Sequence, residues 1–343
     1  MNTTPAAATP VAGFDFDAAV VAPFRMQPGL RRLAPGAPHL TPAMPGGRHM
    51  REKLAVLSVF SPQALLCAAG FDAGPALQAL AAQGATEHPG TLQVDGTALQ
   101  ALGVRVAADG SLAQTAPGAF GLGDEVLRCL HRLPAHWRRT GLLSLAFAED
   151  FAIVDGSDGA RGGHIPWLAV ALPSHWAPQD KVGRSFAEVH APVADGDMLR
   201  RAGAVLVQTV TGHTRWERFV WSLGSTPRLH AHPLRVERGF ADGFDPARCW
   251  WRTERQTFLP LPTARQAVFT IRVEVTPLAT AIDTGARAAR LHAAVASMSP
   301  AVLGYRGLAE VRAPLLDWLA AITDAARAGD RCAAPGAPGA PGT

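Results

Sequence analysis

Lys181-Val182-Gly183-Arg184-Ser185-Phe186-Ala187-Glu188-Val189-His190-Ala191-Pro192-Val193 decides how the middle of this chain folds, because it sets a short helix among strands. Val182, Phe186 and Val189 fall at helical spacing, while Lys181, Arg184 and Glu188 take other parts of the wheel. Pro192 disfavours helical geometry at Ala191, so the turn is expected to stop near His190. One imidazole is thereby delivered from a rigid helix end, with basic residues one or two turns earlier. A neutral imidazole so placed can ligate iron, including haem iron, while the bases meet propionates. More commonly a helix-end histidine caps or packs, and the local sequence leaves that reading open.

On either side of this segment the hydrophobic period turns toward two. Candidate strands are Phe151–Asp155 and Ile165–Leu172 before it. After it come Val205–Leu223 (long enough for two strands or one bent one), Trp250–Leu259 and Ala267–Val275. In the last, Phe269, Ile271, Val273 and Val275 share one face, and Thr270, Arg272 and Glu274 the other. Two strands, a helical insert and three mostly antiparallel strands is the element order of a PAS-type domain, whose insert and sheet enclose a small-molecule or haem pocket. The expected class is α+β, a PAS-like antiparallel sheet with a helical insert over residues 146–280, flanked by N-terminal and C-terminal helical segments.

Residues 21–145 read as a helical, loop-rich region, with short amphipathic helices at Gly74–Gly84 and Gly123–Leu133. The second opens on Asp124 and Glu125, where the helix dipole favours acids. Residues 281–326 read as C-terminal helices, Gly285–Met298 and Pro314–Arg327, with Pro314 in the first turn. Residues 1–20 are rich in Ala, Thr and Pro, and residues 327–343 end in Gly-Ala-Pro repeats; both are expected to be disordered.

The chain has 343 residues, enough for one large domain or two modest ones. Hydrophobic residues make up 48% and charged residues 17%, a globular composition. A net charge of +4 from scattered arginines argues against a dedicated nucleic-acid surface, which needs clustered cations. Cys67, Cys129, Cys249 and Cys332 form no C-x-x-C pair, so neither a zinc or iron–sulfur site nor a disulfide framework is expected. With no basic n-region ahead of an apolar run, and no membrane-length apolar stretch, the expected location is cytoplasmic. The fingerprints of nicotinamide binding, phosphoryl transfer and serine hydrolysis are missing.

Other segments carry candidate chemistry beside blander alternatives. Ala171–Pro178 is a Pro-bounded turn with a packed tryptophan, able to set the approach angle of the His190 helix. In Thr211–Trp216, Arg215 and Trp216 are candidates for a polar pocket wall, or for a hairpin around Gly212. Within Trp250–Thr257, alternation puts Arg252, Glu254 and Gln256 on one face and Thr253, Arg255 and Thr257 on the other. That strand is either an exposed charged edge or a buried ion network at the mouth of a site. Glu149-Asp150 suits a solvated turn better than acid–base work, and His230 with His232 suits a loop beside Pro233 better than a metal site.

Together these segments resemble the haem-dependent oxidative N-demethylase alpha subunits. The resemblance runs from Pro23 to Pro277. It is carried by Pro23-Phe24-Arg25-Met26, Arg51-Glu52-Lys53-Leu54, Glu149-Asp150, Pro173-Ser174 with Trp176 and Pro178, and Lys181-Val182-Gly183. Val189-His190-Ala191-Pro192-Val193, Arg252 with Glu254-Arg255-Gln256-Thr257, Leu261-Pro262 and Phe269-Thr270-Ile271 complete it. The resemblance implies a PAS-like domain holding haem b and its iron. It implies O2-dependent oxidation of an N-methyl group of a small amine, with formaldehyde released. Electrons would come from a separate NADPH-linked reductase subunit carrying flavin (FMN) and iron–sulfur centres. By position, His190 is assigned as the axial metal ligand, with Lys181, Arg184 and Arg255 as haem-binding partners and Arg215, Trp216 and Glu254 as pocket candidates.

One departure stands out: the family pattern Arg-Thr-Asn-Trp is here His213-Thr214-Arg215-Trp216. A guanidinium in place of an amide on a pocket wall would disfavour a cationic amine. The alternative to an enzyme is a non-catalytic haem or small-ligand PAS protein, a sensor or store. The chain shows no kinase, cyclase or helix-turn-helix output segment, which favours the enzyme.

Overall fold

A computed structural model describes residues 13–159, 162–240 and 243–333. The strands, in chain order, are β1 Arg31–Arg32, β2 Leu65–Cys67, β3 Gln93–Asp95, β4 Ala98–Ala101, β5 Val104–Val106 and β6 Leu112–Gln114. They continue with β7 Asp150–Asp155, β8 His164–Ala169, β9 Trp216–Gly224, β10 Trp250–Leu261 and β11 Gln266–Pro277. Seven of them form one sheet in the order β1-β9-β10-β11-β7-β8-β2, with every neighbouring pair antiparallel. The fold is α+β. β10 runs between β9 and β11 along most of its length, so its charged residues are interior, and the exposed-edge alternative does not hold.

The helical insert lies between β8 and β9 as three short helices, Phe186–His190, Asp197–Arg201 and Gly203–Val210. The first ends at the expected histidine. Ser185 and Glu188 form a reciprocal capping box at its start. The expected strand at Val205–Leu223 is corrected: Gly203–Val210 is helical, and the strand begins only at Trp216. The β-branched run there resembles a strand, yet Gly203, Val207 and Val210 are buried together on one helical face while Val205 is exposed. The threonines adapt by donating back to carbonyls one turn earlier, Thr209 to Val205 at 2.7 Å and Thr211 to Val207 at 2.8 Å.

Against the other face of the sheet packs the helix Gly74–Glu87, beside β10 and β11. Gly84 permits this approach, since a Cβ there would meet the Phe147 ring at 2.9 Å. β3 to β6 form a separate four-stranded antiparallel meander inside the region expected to be helical and loop-rich. C-terminal helices Gly285–Ala296 and Arg312–Ala333 pack on each other and build a second core around the stacked rings of Trp221 and Trp251, 5.0 Å apart.

Part of each terminal segment expected to be disordered is structured. Phe16–Ala19 is a helical turn capped by Asp15, with Phe16 and Val20 buried, and the last helix runs on to Ala333. Residues 1–12 and 334–343 lie outside the described residues. Glu149-Asp150 is not a solvated turn. Lys53, fully buried, donates to the carbonyls of Phe147 (3.1 Å) and Glu149 (2.6 Å) and pairs with Asp150 at 3.2 Å. Burial raises the Glu149 pKa, while the Thr41 N–H donates to its carboxylate at 2.8 Å. The pair fastens the start of β7 to the N-terminal region. Among the described residues no helix is long and apolar enough to cross a membrane.

Candidate functional site

A cavity of about 390 Å³ lies between the sheet and the helical insert. The strand pleat decides what faces it. From β10 come Arg252, Glu254, Gln256 and Phe258, the alternate residues that sequence alternation groups together. Phe269 and Ile271 of β11 with Ala152 and Val154 of β7 make an apolar floor. From β9 come Arg218, Val220 and Ser222, registered against Gln256, Glu254 and Arg252 respectively.

His190 lines the cavity from the insert. Its ring stacks on Phe186 with centroids 4.0 Å apart, and Nδ1 lies 2.8 Å from the Phe186 carbonyl oxygen. Burial, together with the nearby charges of Arg218 and Lys181, brings its pKa down to about 4. The imidazole is therefore neutral at neutral pH. A carbonyl can only accept, so the ring proton sits on Nδ1 and Nε2 keeps its lone pair. Lys181 lines the same wall and donates to the Val189 carbonyl at 2.9 Å, bracing the end of the histidine helix. Burial lowers its pKa.

Glu254 is the single carboxylate among the described residues lining the cavity. Ser174 Oγ donates to one of its oxygens, and Gln256 Nε2 donates to the other at 2.5 Å. Ser174 in turn accepts from Arg252 Nε at 2.7 Å. Arg252 is a clamp, its remaining nitrogens donating to the carbonyls of Leu172, Pro173, Arg228 and Leu229. It thereby ties the Ala171–Pro178 turn to the loop after β9.

The other expected residues are not in this cavity. Arg184 is exposed on the insert. Arg255 points to the opposite face of the sheet, where its Nε meets Glu217 Oε2 at 3.0 Å. Arg215 is exposed and donates to Gln83 at 3.2 Å; Trp216 packs beside Val207, Val210 and Phe258 and donates to the Thr209 carbonyl. Both were placed in the pocket by a strand expected to begin too early. Of the seven candidates, the structure brings together His190, Lys181 and Glu254.

Several lining groups were missed. Arg218 lies in the wall with Nε buried and unpartnered, its pKa lowered by burial against the opposing pull of Glu254. Starting β9 at Trp216 would have found it by alternation with Val220 and Ser222. His175 holds a positive φ of 59°, has an unpartnered buried Nδ1, and is brought to about pKa 4 by burial with Arg252 and Arg238 nearby. Arg238 and Arg306 reach the cavity from distant loops. Arg306 donates to the Trp221 carbonyl and lies over the Trp221 ring at 4.3 Å, while Arg238 lies over Tyr305 at 5.0 Å. Burial lowers the Arg306 pKa to about 10. No sequence spacing joins these two to β9. His230 and His232 stack in the loop after β9 and belong to no metal-holding cluster among the described residues.

The family model described as haem-dependent oxidative N-demethylase, alpha subunit-like, matches residues 138–316. That span takes in β7 to β11, the helical insert and both distant arginines. With half of its length matched, the chain belongs to the haem-dependent oxidative N-demethylase alpha subunit-like family.

Proposed function

We propose that this cavity holds haem b through His190 and that the protein oxidises an N-methyl group of a small amine, with electrons delivered by a partner subunit. One observation carries the reading: a neutral histidine with a bare Nε2 lines a cavity that is apolar along β7 and β11 and carries cations from β9, β10 and the segments around them. Those features fit the group. A porphyrin needs a flat apolar surface, which Ala152, Val154, Phe269 and Ile271 offer, and its propionates need cations. Lys181 and Arg218, the charges beside His190, are suited to them, and Arg218 has a buried nitrogen without a partner. The strand–strand–insert–three-strand order supports a PAS-like description of the unit.

Bound haem iron would supply the oxidative chemistry with O2, releasing formaldehyde from the N-methyl group. The chain's own contribution is orientation and exclusion. His190 is held by its Nδ1–H bond and by stacking on Phe186, so its lone pair has one direction. The apolar floor keeps water away from the reacting end. Glu254, fixed by Ser174 and Gln256, offers the amine nitrogen a charge partner. The words "alpha subunit" in the family description support a partner, here proposed as an NADPH-linked reductase with FMN and iron–sulfur centres.

Absorption spectroscopy tests the cofactor. Protein mixed with haemin is expected to show a Soret band that shifts on dithionite reduction, with pigment extracted into acid–acetone. A reconstituted preparation without a Soret band would sink the proposal.

A further inference from the structure

Among the described residues, six cationic side chains line the cavity, Arg25, Lys181, Arg218, Arg238, Arg252 and Arg306, against the one carboxylate of Glu254. Two propionates and Glu254 would balance three of them. The excess is not spread evenly. His190 feels Arg218 and Lys181, whereas His175 feels Arg252 and Arg238, so the cavity has two cationic ends. Arg306 belongs to the second, because it donates to the Trp221 carbonyl, three residues along β9 from Arg218, about 10 Å at the rise of a strand.

Arg252 is spent on backbone carbonyls and Ser174, and Arg25, exposed as Arg238 also is, lies over no aromatic ring among the described residues. Arg238 and Arg306 differ. They belong to none of the ion pairs formed among the described residues, and Arg306 Nε is buried without a partner. Instead they lie over aromatic rings, Arg238 over Tyr305 and Arg306 over Phe24 and Trp221. Guanidinium groups positioned by rings, with no carboxylate among the described residues to meet, are arranged for a planar anion that accepts two hydrogen bonds. A bare alkylammonium would gain nothing at this end and would be repelled by it.

We propose, resting on the haem reading above, that the amine taken by this cavity carries its own carboxylate, held by Arg238 and Arg306 at the end away from His190. The substrate class is then an N-methylated amino acid rather than a simple methylamine. Glu254 and the arginine pair would receive the two charges of such a zwitterion.

Calorimetric titration tests this with N,N-dimethylglycine and the longer dimethylaminobutyrate, against dimethylamine and the uncharged-tail control dimethylethanolamine. At least one carboxylate-bearing amine should bind about 10- to 100-fold more tightly than dimethylamine, the span of one or two charge-assisted hydrogen bonds. Arg238→Gln, and separately Arg306→Lys, should each erase most of that preference while the Soret absorbance per protein stays constant. Dimethylamine binding as tightly as both acids overturns the proposal. So does a pair of variants that lose haem yet keep the wild-type preference, because the arginines would then serve the propionates. The two readings fail separately. Full haem loading with no carboxylate preference removes the subsite, whereas a carboxylate preference without any haem uptake removes the cofactor reading.

Discussion

β9, β10 and β11 carry charged residues on both faces, and the two faces handle them in opposite ways. On the face away from the cavity, Arg255 and Arg31 share Glu217 at 3.0 Å each, and Arg31 also meets Asp15 at 2.5 Å. Thr257 sits between His39 at 2.9 Å and Thr270 at 2.7 Å. Each of these arginines meets a counter-charge inside the protein; Arg255 Nη2 and His39 Nε2 are also buried without a hydrogen-bond partner, so charge balance is what separates the faces. On the cavity face, one carboxylate faces several cations, and the buried nitrogens of Arg218 and Arg306 stand unpartnered. Burying an uncompensated charge costs several kcal/mol, so a fold retains it only where something else benefits. The charge-balanced network belongs to stability, and the unbalanced one to a ligand.

The largest test of that contrast is Glu217→Gln. Leaving Arg255 buried without its counter-charge should cost about 3–5 kcal/mol in urea unfolding, with haem uptake per folded molecule unchanged. Arg218→Gln on the other face should cost under about 1 kcal/mol, since it removes an unbalanced charge. Equal losses would break the comparison.

Next in size is His190→Ala. Haem retention should fall about tenfold or more, or the Soret band should shift, while the haem-free variant unfolds within about 1 kcal/mol of wild type. His175→Ala, His213→Ala and His232→Ala should keep the wild-type spectrum. An unchanged spectrum in His190→Ala would move the ligand elsewhere.

The histidines also predict a pH profile. His39 titrates near 3, and His175 and His190 near 4, all depressed by burial below the ordinary 6.5. The unfolded chain therefore binds more protons below pH 6.5, so stability is fully present above that value and is lost as pH falls toward 4 and then 3. Each unit of depression is worth about 1.4 kcal/mol for a fully buried group and less for the half-exposed ones. His39→Asn should flatten the fall on the structural face. A profile unchanged by that substitution would show that His39 does not titrate as its burial requires.

The smallest expected effect is at Arg215. Exposed and hydrogen-bonded to Gln83, it should tolerate Arg215→Asn within about 0.5 kcal/mol, and spectral titrations with amines should be unaltered. A changed amine affinity would mean that the departure from the family pattern reaches the cavity after all.

Much of the sheet was legible because alternation survives burial on one side. Arg252, Glu254 and Gln256 grouped correctly, and the helix holding His190 ended where Pro192 required. What misled was the Val205–Val210 run, in which β-branched residues mimic a strand while a buried helical face decides otherwise. That misplaced start carried Arg215 and Trp216 into the pocket and hid Arg218. Arg238 and Arg306 were out of reach for another reason: they meet β9 through tertiary packing alone, and pairing of charges is a property of space rather than of spacing.

The cavity is closed by both ends of the chain. Phe24 and Met26 line it from before the first strand, and Tyr305 and Arg306 from the C-terminal helices, while the family similarity begins only at Arg138. The span matched by the family model is thus smaller than the set of residues that walls the cavity. A fragment cut to residues 138–316 would keep the histidine and lose part of the wall around it, together with β2 and the lysine that anchors β7. The region before residue 138 supplies Phe24, Arg25 and Met26 to that wall.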